Sequence, residues 1–536
     1  MNIFSSIHWN LGLAIWARCP LVGARTADVY VPLTLDQTIE QLGLRPALAH
    51  IRELELAIPA PSRRCEKACD ILATVLPSEV QFPGSEDYNS TRASYWAQQQ
   101  SDLSPSCFVV AKRSHSVSTS ITVSRKTKCP FSVRSGGHSD VPGASNIEKG
   151  ITIDLRSISE IYVSDDKRIT YVGAGARWGE VYAKLDEMDL MVVGGRVFSL
   201  GVGGLTLGGG ISFFSGKEGL ACDNVVVMAD GRLRDVNQTS YPDLYRALRG
   251  GGNNFGIVTR FDLDTYPQGE MWSAIRTYPL DAKEHLIEGL ASFNKNAADD
   301  SDLAIITSFA YAGGQWICGH ITDYARPVPD PGLFISSFGI LANIPPIRDN
   351  TQLIRLSNLS IEMIAVNPPS GLRDRYATAT YKNSVELQNR IVDIVVSELD
   401  RVKGEIRNLE GFVCAVNFQA ITLPMISKFS KRGGNILGIS PDDGPLLLIL
   451  INFTWASSSD DDIIISASES ILSQSNGAAA ELGLINDFVY MNYAGSHQSP
   501  FVGYGKKNLQ QLRKVQAKYD PNLVFEKLQP GWFKLR

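Results

Sequence analysis

Short β-branched runs alternate with helical spacing through the first half of the chain. FVV at 108–110, FSV at 131–133 and ITIDL at 151–155 predict strands, the last with Ile151, Ile153 and Leu155 on one face. RITYVGAG predicts another strand. It feeds RWGEVYAKLDEM, where Trp178, Val181, Tyr182 and Leu185 recur at helical spacing. VVVMADG (225–231) reads as strand and turn. Ser240 and Asp243 fit a capping box with Pro242 inside the first turn of a helix that stops at Gly250–Gly252, and GIVTRFDL follows as a strand. After about residue 272 the pattern changes to longer amphipathic helices, DAKEHLIEGLASFNK and VELQNRIVDIVVSELDRV (385–402), interleaved with long strands such as PLLLILINFTWA (445–456). A last helix carries Leu509, Leu512 and Val515 and ends before Pro521. Residues 1 to about 60 show no clear period and read as a leader plus a first helix. The pattern as a whole is α+β.

At 536 residues the chain is too long for one core, and 46 glycines point to many tight turns or close backbone approaches. A net charge of −5 with scattered Lys and Arg lacks the basic stripe of a nucleic-acid binder, and no apolar run reaches the length of a membrane span. LGLAIWARCPLVGA is a candidate signal peptide ending near Ala24, interrupted by Arg18 and without a basic start. The eight cysteines contain no zinc spacing, and Cys65, Cys69 and Cys107 lie close enough in sequence for one disulfide among them. Asn89, Asn237, Asn358 and Asn452 each begin an N-x-Ser/Thr sequon. These features favour the secretory pathway over the cytoplasm; separately, a monomer is expected.

Glycine crowds three segments: 135–143, 194–210 and 250–256. Such density weakens a fold unless backbone must come close to something, and a polyphosphate held by successive N–H groups is such a thing. A nicotinamide enzyme would need an acidic residue at the end of the strand after YVGAGARWGEVYAKL, and that strand reads LMVVGG. No G-x-S-x-G supports a serine hydrolase. The seven histidines are dispersed without HExxH, so no metal site is expected. One histidine stands out: in VRSGGHS, His138 sits between glycines and a serine, where an imidazole gains no packing.

The segments VRSGGHS (133–139), GVGGLTLGGG (201–210), ACDNVV, MADGRL, PDLYRALRGGGNNFGIVT (242–259) and NYAG…YGKKNLQQLRKVQAKYDPNLVF resemble the berberine-bridge-enzyme-like flavoproteins of the vanillyl-alcohol-oxidase superfamily. That resemblance implies a PCMH-type, two-subdomain FAD-binding domain over 61–272, with its core at about 103–268. It also implies a substrate domain over 273–488, α+β with a large antiparallel sheet covered by helices, and a return of 489–536 to the first domain. The family's histidine in R-S-G-G-H-S is bonded to the flavin 8α-methyl carbon, which implies the same for His138, reached through a flexible glycine frame. Val197 stands where many members carry a second, cysteinyl link, so a single link is expected. By the same resemblance Ser135, Gly136, Gly137 and Ser139 cradle the pyrophosphate, and Arg134 is also expected to bind the cofactor. Gly201, Val202, Gly203, Gly204, Gly209 and Gly210 line the cofactor, Gly256, Ile257 and Val258 pack at the adenosine, and Tyr504 and Asn508 return to the isoalloxazine. Relatives have about four more residues between DNVV and ADG, which bears on how well this chain holds FAD.

An oxidase of this type passes a hydride to flavin N5, a side chain takes a proton, and O₂ reoxidises the flavin. The family's N-Y-x-D motif reads NYAG here, keeping Tyr493 and replacing the acid with Gly495, so Tyr493 is the leading base and His497 a second candidate. Tyr490 is not chosen. Apolar strands favour a hydrophobic small molecule, and VPGA after GGHS with a single link is most similar to the fungal secondary-metabolite branch, where oxidation of an alcohol or oxidative ring closure is typical. Two alternatives are a non-redox isomerase or cyclase that keeps the flavin as scaffold, and a catalytically impaired flavin binder.

Overall fold

The computed structural model describes residues 63–222, 225–228 and 233–536, with Gln37 and Glu40 besides; of 225–228 and 233 only the backbone is described. The expected leader, first helix and signal peptide lie outside the described residues. Three sheets organise the chain.

The first sheet holds β1 (Val80–Gln81), β2 (Cys107–Val110), β3 (Phe131–Arg134) and β4 (Ile151–Asp154) in the order β1-β2-β4-β3, with β4 parallel to both of its neighbours. ITIDL alternates in sequence, yet all of β4 is buried, because the polar face of the strand is paid out in hydrogen bonds rather than water. The Thr152 hydroxyl donates to Asn146 Oδ1 at 2.8 Å, and the Asp154 carboxylate takes Arg156 at 2.7 Å. The helix Arg64–Val75 packs here with Cys65 and Cys69 one turn apart on its buried face. Cys69 is bonded to Cys107 at the start of β2, the one bridge expected among three cysteines. Cys65 is bonded to Cys129 just before β3, a second bridge the sequence spacing did not suggest. One helix face thus staples the beginnings of two strands that share β4 as neighbour.

The second sheet runs β5 (Ile161–Val163), β6 (Ile169–Gly173), β10 (Gly256–Pro267), β8 (Val225–Met228), β9 (Leu233–Arg234), with β7 (Leu190–Val192) also on β10. The segment expected to be short forms β8 all the same, pairing Val225–Met228 with the start of β10 across an irregular register at Val258/Arg260. The residues flanking it, 223–224 and 229–232, lie outside the described residues. The helix Pro242–Leu248 begins with Pro242 as expected, but Ser240 is not its cap. Tyr241 takes that position at φ 58°, and the Asp243 carboxylate instead accepts from Lys518 Nζ and Tyr519 Oη, both at 2.7 Å, fastening the C-terminal helix Lys506–Tyr519.

The third sheet is antiparallel with eight strands: β11 (Met271–Pro279), β12 (Leu303–Ala312), β13 (Gln315–Tyr324), β14 (Arg348–Ile354), β15 (Arg373–Lys382), β16 (Val413–Ile421), β17 (Leu446–Trp455) and β18 (Ile485–Asn486), in the order β14-β11-β13-β12-β16-β17-β15-β18. Helices Lys283–Asn296, Val385–Val402 and Asp461–Glu481 cover one face, where Leu447, Ile449, Ile451 and Phe453 of β17 join a core with Leu286, Ile391 and Ile471. Residues of the other parity form registered rows on the opposite face: Tyr376, Asn452, Ala415 and Ala310 in one, Leu450, Asn417, Ser308 and Gly319 in the next, Gln419, Ile306 and Ile321 in a third. Asn452 is 7 % exposed, so its sequon is out of reach of glycosylation, whereas Asn89, Asn237 and Asn358 are exposed.

Replacing both Cys69 and Cys107 by Ala should lower unfolding stability by about 2–5 kcal/mol, read from urea denaturation without reductant. Reductant should move the wild-type midpoint toward that of the variant.

Candidate functional site

A cavity of about 840 Å³ lies where the polar rows of the third sheet face the loops that leave the first two. That is within the range of roughly 300–1,000 Å³ typical of cofactor and ligand sites. Of the residues expected at a cofactor, Ser135, Gly136, Gly137, His138, Ser139, Gly201, Gly203, Gly204, Gly256, Ile257, Val258 and Tyr493 line it, and Val197 does too. At its wall the loop after β3 meets the loop before the helix Val202–Leu207 backbone to backbone. A Cβ on Gly136 would lie 2.4 Å from the Gly201 nitrogen, and one on Gly201 would lie 2.2 Å from the Gly136 nitrogen. Gly137, at φ 73°, folds over Tyr95, whose ring a Cβ there would meet at 3.0 Å. The glycine frame around His138 is therefore packed tight rather than flexible. Ser135 is the knot: its hydroxyl donates to the Ala174 carbonyl at 2.7 Å and accepts from the Gly203 N–H at 3.1 Å.

Six other expected residues lie behind the wall. Arg134 is fully buried and points away. Its guanidinium donates to the carbonyls of Thr91 and Ser94, both at 2.8 Å, and sits 3.8 Å over the Tyr95 ring. The chain turns sharply at Gly136–Gly137, and that leaves Arg134 on the strand side as a strut. Val202 is in the core, and Gly209 and Gly210 pack against Tyr490, Leu220 and Ala221. Tyr504 is buried with its hydroxyl donating to the Gly250 carbonyl at 3.1 Å. Asn508, on the helix after it, donates to the Tyr504 carbonyl at 3.0 Å, and its Oδ1 accepts from Arg246; neither side chain reaches the cavity.

Residues not foreseen complete the wall. Arg196 Nη2 donates to the Tyr493 hydroxyl oxygen at 2.6 Å, and Gln419 Nε2 donates to the same oxygen at 3.1 Å. Arg196 is the sole charge between Leu190 and Gly216, and an isolated cation in a glycine-rich segment was a readable signal. Gln419 and Asn452 interrupt runs of strand residues. Tyr376, Asn492, Gln529 and Trp532 join from β15 and the C-terminal segment. Tyr490 lines the cavity next to Tyr493, with ring centroids 5.0 Å apart, but its oxygen accepts from the Ile211 N–H at 3.1 Å and from Asn492 Nδ2 at 3.0 Å, and burial pushes its phenol up. His497 is away from the cavity, bonded to Arg375 Nη2 at 2.6 Å. A Cβ on Gly495 would lie 2.5 Å from the Tyr376 carbonyl, so no larger side chain fits there.

Burial governs the ionisable groups. His138 is held down to about 4, so the imidazole is neutral at physiological pH. Asp140, two residues on, accepts from the Tyr376 N–H at 3.0 Å and is pushed up to about 6 by desolvation. Asp374 of β15 is pushed up to about 8, first by burial and further by the Asp140 charge, with one carboxyl oxygen bonded to Thr454 Oγ at 2.8 Å and the other unpaired.

The cavity's bare amide loops and its size fit a flavin dinucleotide: the Cβ position of Gly204 is open, while those of Gly136 and Gly201 are closed by each other. Residues 105–237 match the FAD binding domain family. The chain is 38% identical over 498 residues to the FAD-dependent monooxygenase tpcD of Cochliobolus heterostrophus, covering 89% of this chain and 96% of that one. It is 38% identical to the FAD-dependent monooxygenase FUP4 of Fusarium proliferatum, over 88% and 94% of the two chains. The fold is that of Physcomitrella patens BBE-like 1 (TM-score 0.68, 18% identity, 87% and 99% covered) and of 6-hydroxy-D-nicotine oxidase from Arthrobacter nicotinovorans (TM-score 0.67, 19% identity, 84% and 96% covered). The fold is thus that of the berberine-bridge-enzyme-like proteins, and the class is an FAD-linked oxidoreductase. Within it, this chain belongs to the family of FAD-dependent monooxygenases that tpcD and FUP4 represent.

Gly136→Ala should separate the two loops and yield protein with less than a tenth of the wild-type flavin content, read from absorbance near 450 nm. Asp374→Asn should raise the melting temperature more at pH 8.5 than at pH 5. The unfolded carboxyl ionises above about pH 4, whereas the folded one keeps its proton to about pH 8. The wild type therefore loses stability across that window and the amide does not. Equal shifts at both pH values would contradict the assignment.

Proposed function

We propose that the protein is an FAD-dependent oxidase of a hydrophobic small molecule, an intermediate of secondary metabolism, with FAD attached through His138 alone. The observation that carries this reading is Tyr493, which lines the same cavity as His138 and whose oxygen receives hydrogen bonds from a guanidinium and an amide. When bound, FAD accepts a hydride from substrate and passes the electrons to O₂. The chain's own residues handle the proton. Two donors already point at the Tyr493 oxygen, so the negative charge of the phenolate that accepts a substrate proton is stabilised in place, with no reorganisation needed. The phenol of Tyr490, whose oxygen accepts from a backbone N–H and an amide, keeps a structural part. Outward from Tyr493, Ala310, Ala415 and Gly319 leave room against the sheet, while Asn452, Asn417 and Ser308 offer hydrogen bonds to oxygen substituents. Among the described residues no acidic side chain but Asp140 lines this space, which disfavours a cationic substrate.

Residues 61–272 and 489–536 would form the cofactor domain and 273–488 the substrate domain. Two disulfides and three exposed sequons support passage through an oxidising compartment. The names of the relatives favour a second reading, in which one oxygen atom enters the product.

A panel of hydrophobic alcohols and phenols, offered without oxygen, should contain compounds that bleach the flavin. Under ¹⁸O₂ the oxidase reading requires labelled hydrogen peroxide and unlabelled product, and labelled product selects the monooxygenase reading. Tyr493→Phe should slow bleaching by about 10²–10⁴-fold, the range for loss of a general base, with flavin content unchanged. Bleaching at the wild-type rate would remove Tyr493 from the reaction.

A further inference from the structure

Trp96 precedes every glycine-rich segment and does not line the cavity, yet its ring lies flat against His138, with centroids 4.1 Å apart and planes 11° from parallel. The contact is held from several sides. The Trp96 N–H donates to the Gly137 carbonyl at 3.2 Å, so the backbone beside the indole is tied to the residue before His138. The preceding Tyr95 lies under Gly137 and anchors its hydroxyl on the Ser145 carbonyl at 2.8 Å. The Trp96 carbonyl accepts from the Gly371 N–H at 2.8 Å, and its ring meets Tyr376 at 5.8 Å, both just before or within β15. Asp140 fastens the far side of the His138 loop to the same strand through the Tyr376 N–H. The indole thus stands behind an imidazole whose other side opens on the cavity.

We infer that Trp96 is a positioning residue for attachment of FAD to His138: its flat face fixes the plane of the imidazole so that a ring nitrogen is aimed into the cavity. This rests on the proposed single-histidine link. In the attachment a nitrogen of His138 forms a bond to the flavin 8α carbon. One proton leaves that carbon and one leaves the imidazole N–H. The electron pair released reduces the flavin, and O₂ takes up both electrons and two protons as hydrogen peroxide. The step needs a neutral imidazole, which burial provides, and a ring held in one orientation. A histidine on a loop has two side-chain torsions to sample, and stacking on a fixed indole removes most of that freedom before the bond forms.

The test uses the full chain produced under riboflavin limitation, then supplied with FAD in air. Attached flavin is read as fluorescence in a denaturing gel and as the mass of the intact chain, and total bound flavin as absorbance before acid precipitation. Wild type should attach one FAD and His138→Ala none. If wild type releases all its flavin in acid, the single-link reading fails, whatever Trp96 does. With that link present, Trp96→Leu should bind FAD but attach it at least tenfold more slowly, and Trp96→Phe, which keeps a flat face, should attach it within about threefold of wild type. Attachment by Trp96→Leu at the wild-type rate, or by Trp96→Phe as slowly as by Trp96→Leu, overturns the proposal. Should Trp96→Leu not fold, Trp96→Phe and Trp96→His carry the test: attachment by both supports the role, and its loss in either overturns it.

Discussion

The site depends on one close contact, the backbone of Gly136 against the backbone of Gly201. With each glycine's missing Cβ position under 2.5 Å from the other's nitrogen, no side chain can be added to either without parting the loops. That contact joins the end of the parallel sheet to the second sheet, and Ser135 ties it to the carbonyl of Ala174 and the N–H of Gly203. His138 is placed two residues from one side of this seam and Arg196 five residues from the other. The relative position of these two loops therefore follows from a contact between bare backbones.

The third sheet supplies the opposite wall by a simple rule of parity. Helices take the odd-numbered residues of β17, and the even-numbered Leu450 and Asn452 face the cavity. Amides that would be costly in a core, Asn452 and Gln419, are thereby turned toward a ligand. The seam between this sheet and the cofactor loops holds Asp140 and Asp374, both desolvated, and burial together with the Asp140 charge keeps the proton on Asp374. At the same junction Trp96 stacks on His138 and meets the tilted ring of Tyr376, which links the docking of the sheet to the orientation of the imidazole.

Much of the fold was legible in the chain. The helices at 385–402 and 506–519, the strand at 446–455 and the glycine clusters are where periodicity and composition put them. VRSGGHS and the downstream motifs pointed to the flavin class, and Tyr493 and His138 do face one cavity. Arg134, Tyr504 and Asn508 were read as neighbours of the cofactor because they stand in the right motifs, but a motif gives position along the chain and not the direction of a side chain. Ser240 was read as a cap because its spacing fits, and the left-handed Tyr241 displaced it. The Cys65–Cys129 bridge joins residues 64 apart and could be seen only once the helix lay across the sheet.

By itself the sequence determined the local geometry: where glycine permits backbone contact, where helices and strands run, and which class of cofactor the loops suit. These depend on interactions within a few residues. The partners of the reactive groups were decided only by the tertiary structure. Arg196 and Tyr493 are 297 residues apart, Gln419 and Tyr493 74, and Trp96 lies 42 before His138. A guanidinium meets a phenol, or an indole an imidazole, only when separate sheets dock, because hydrogen bonds and stacking act over a few ångströms and carry no trace in residue spacing.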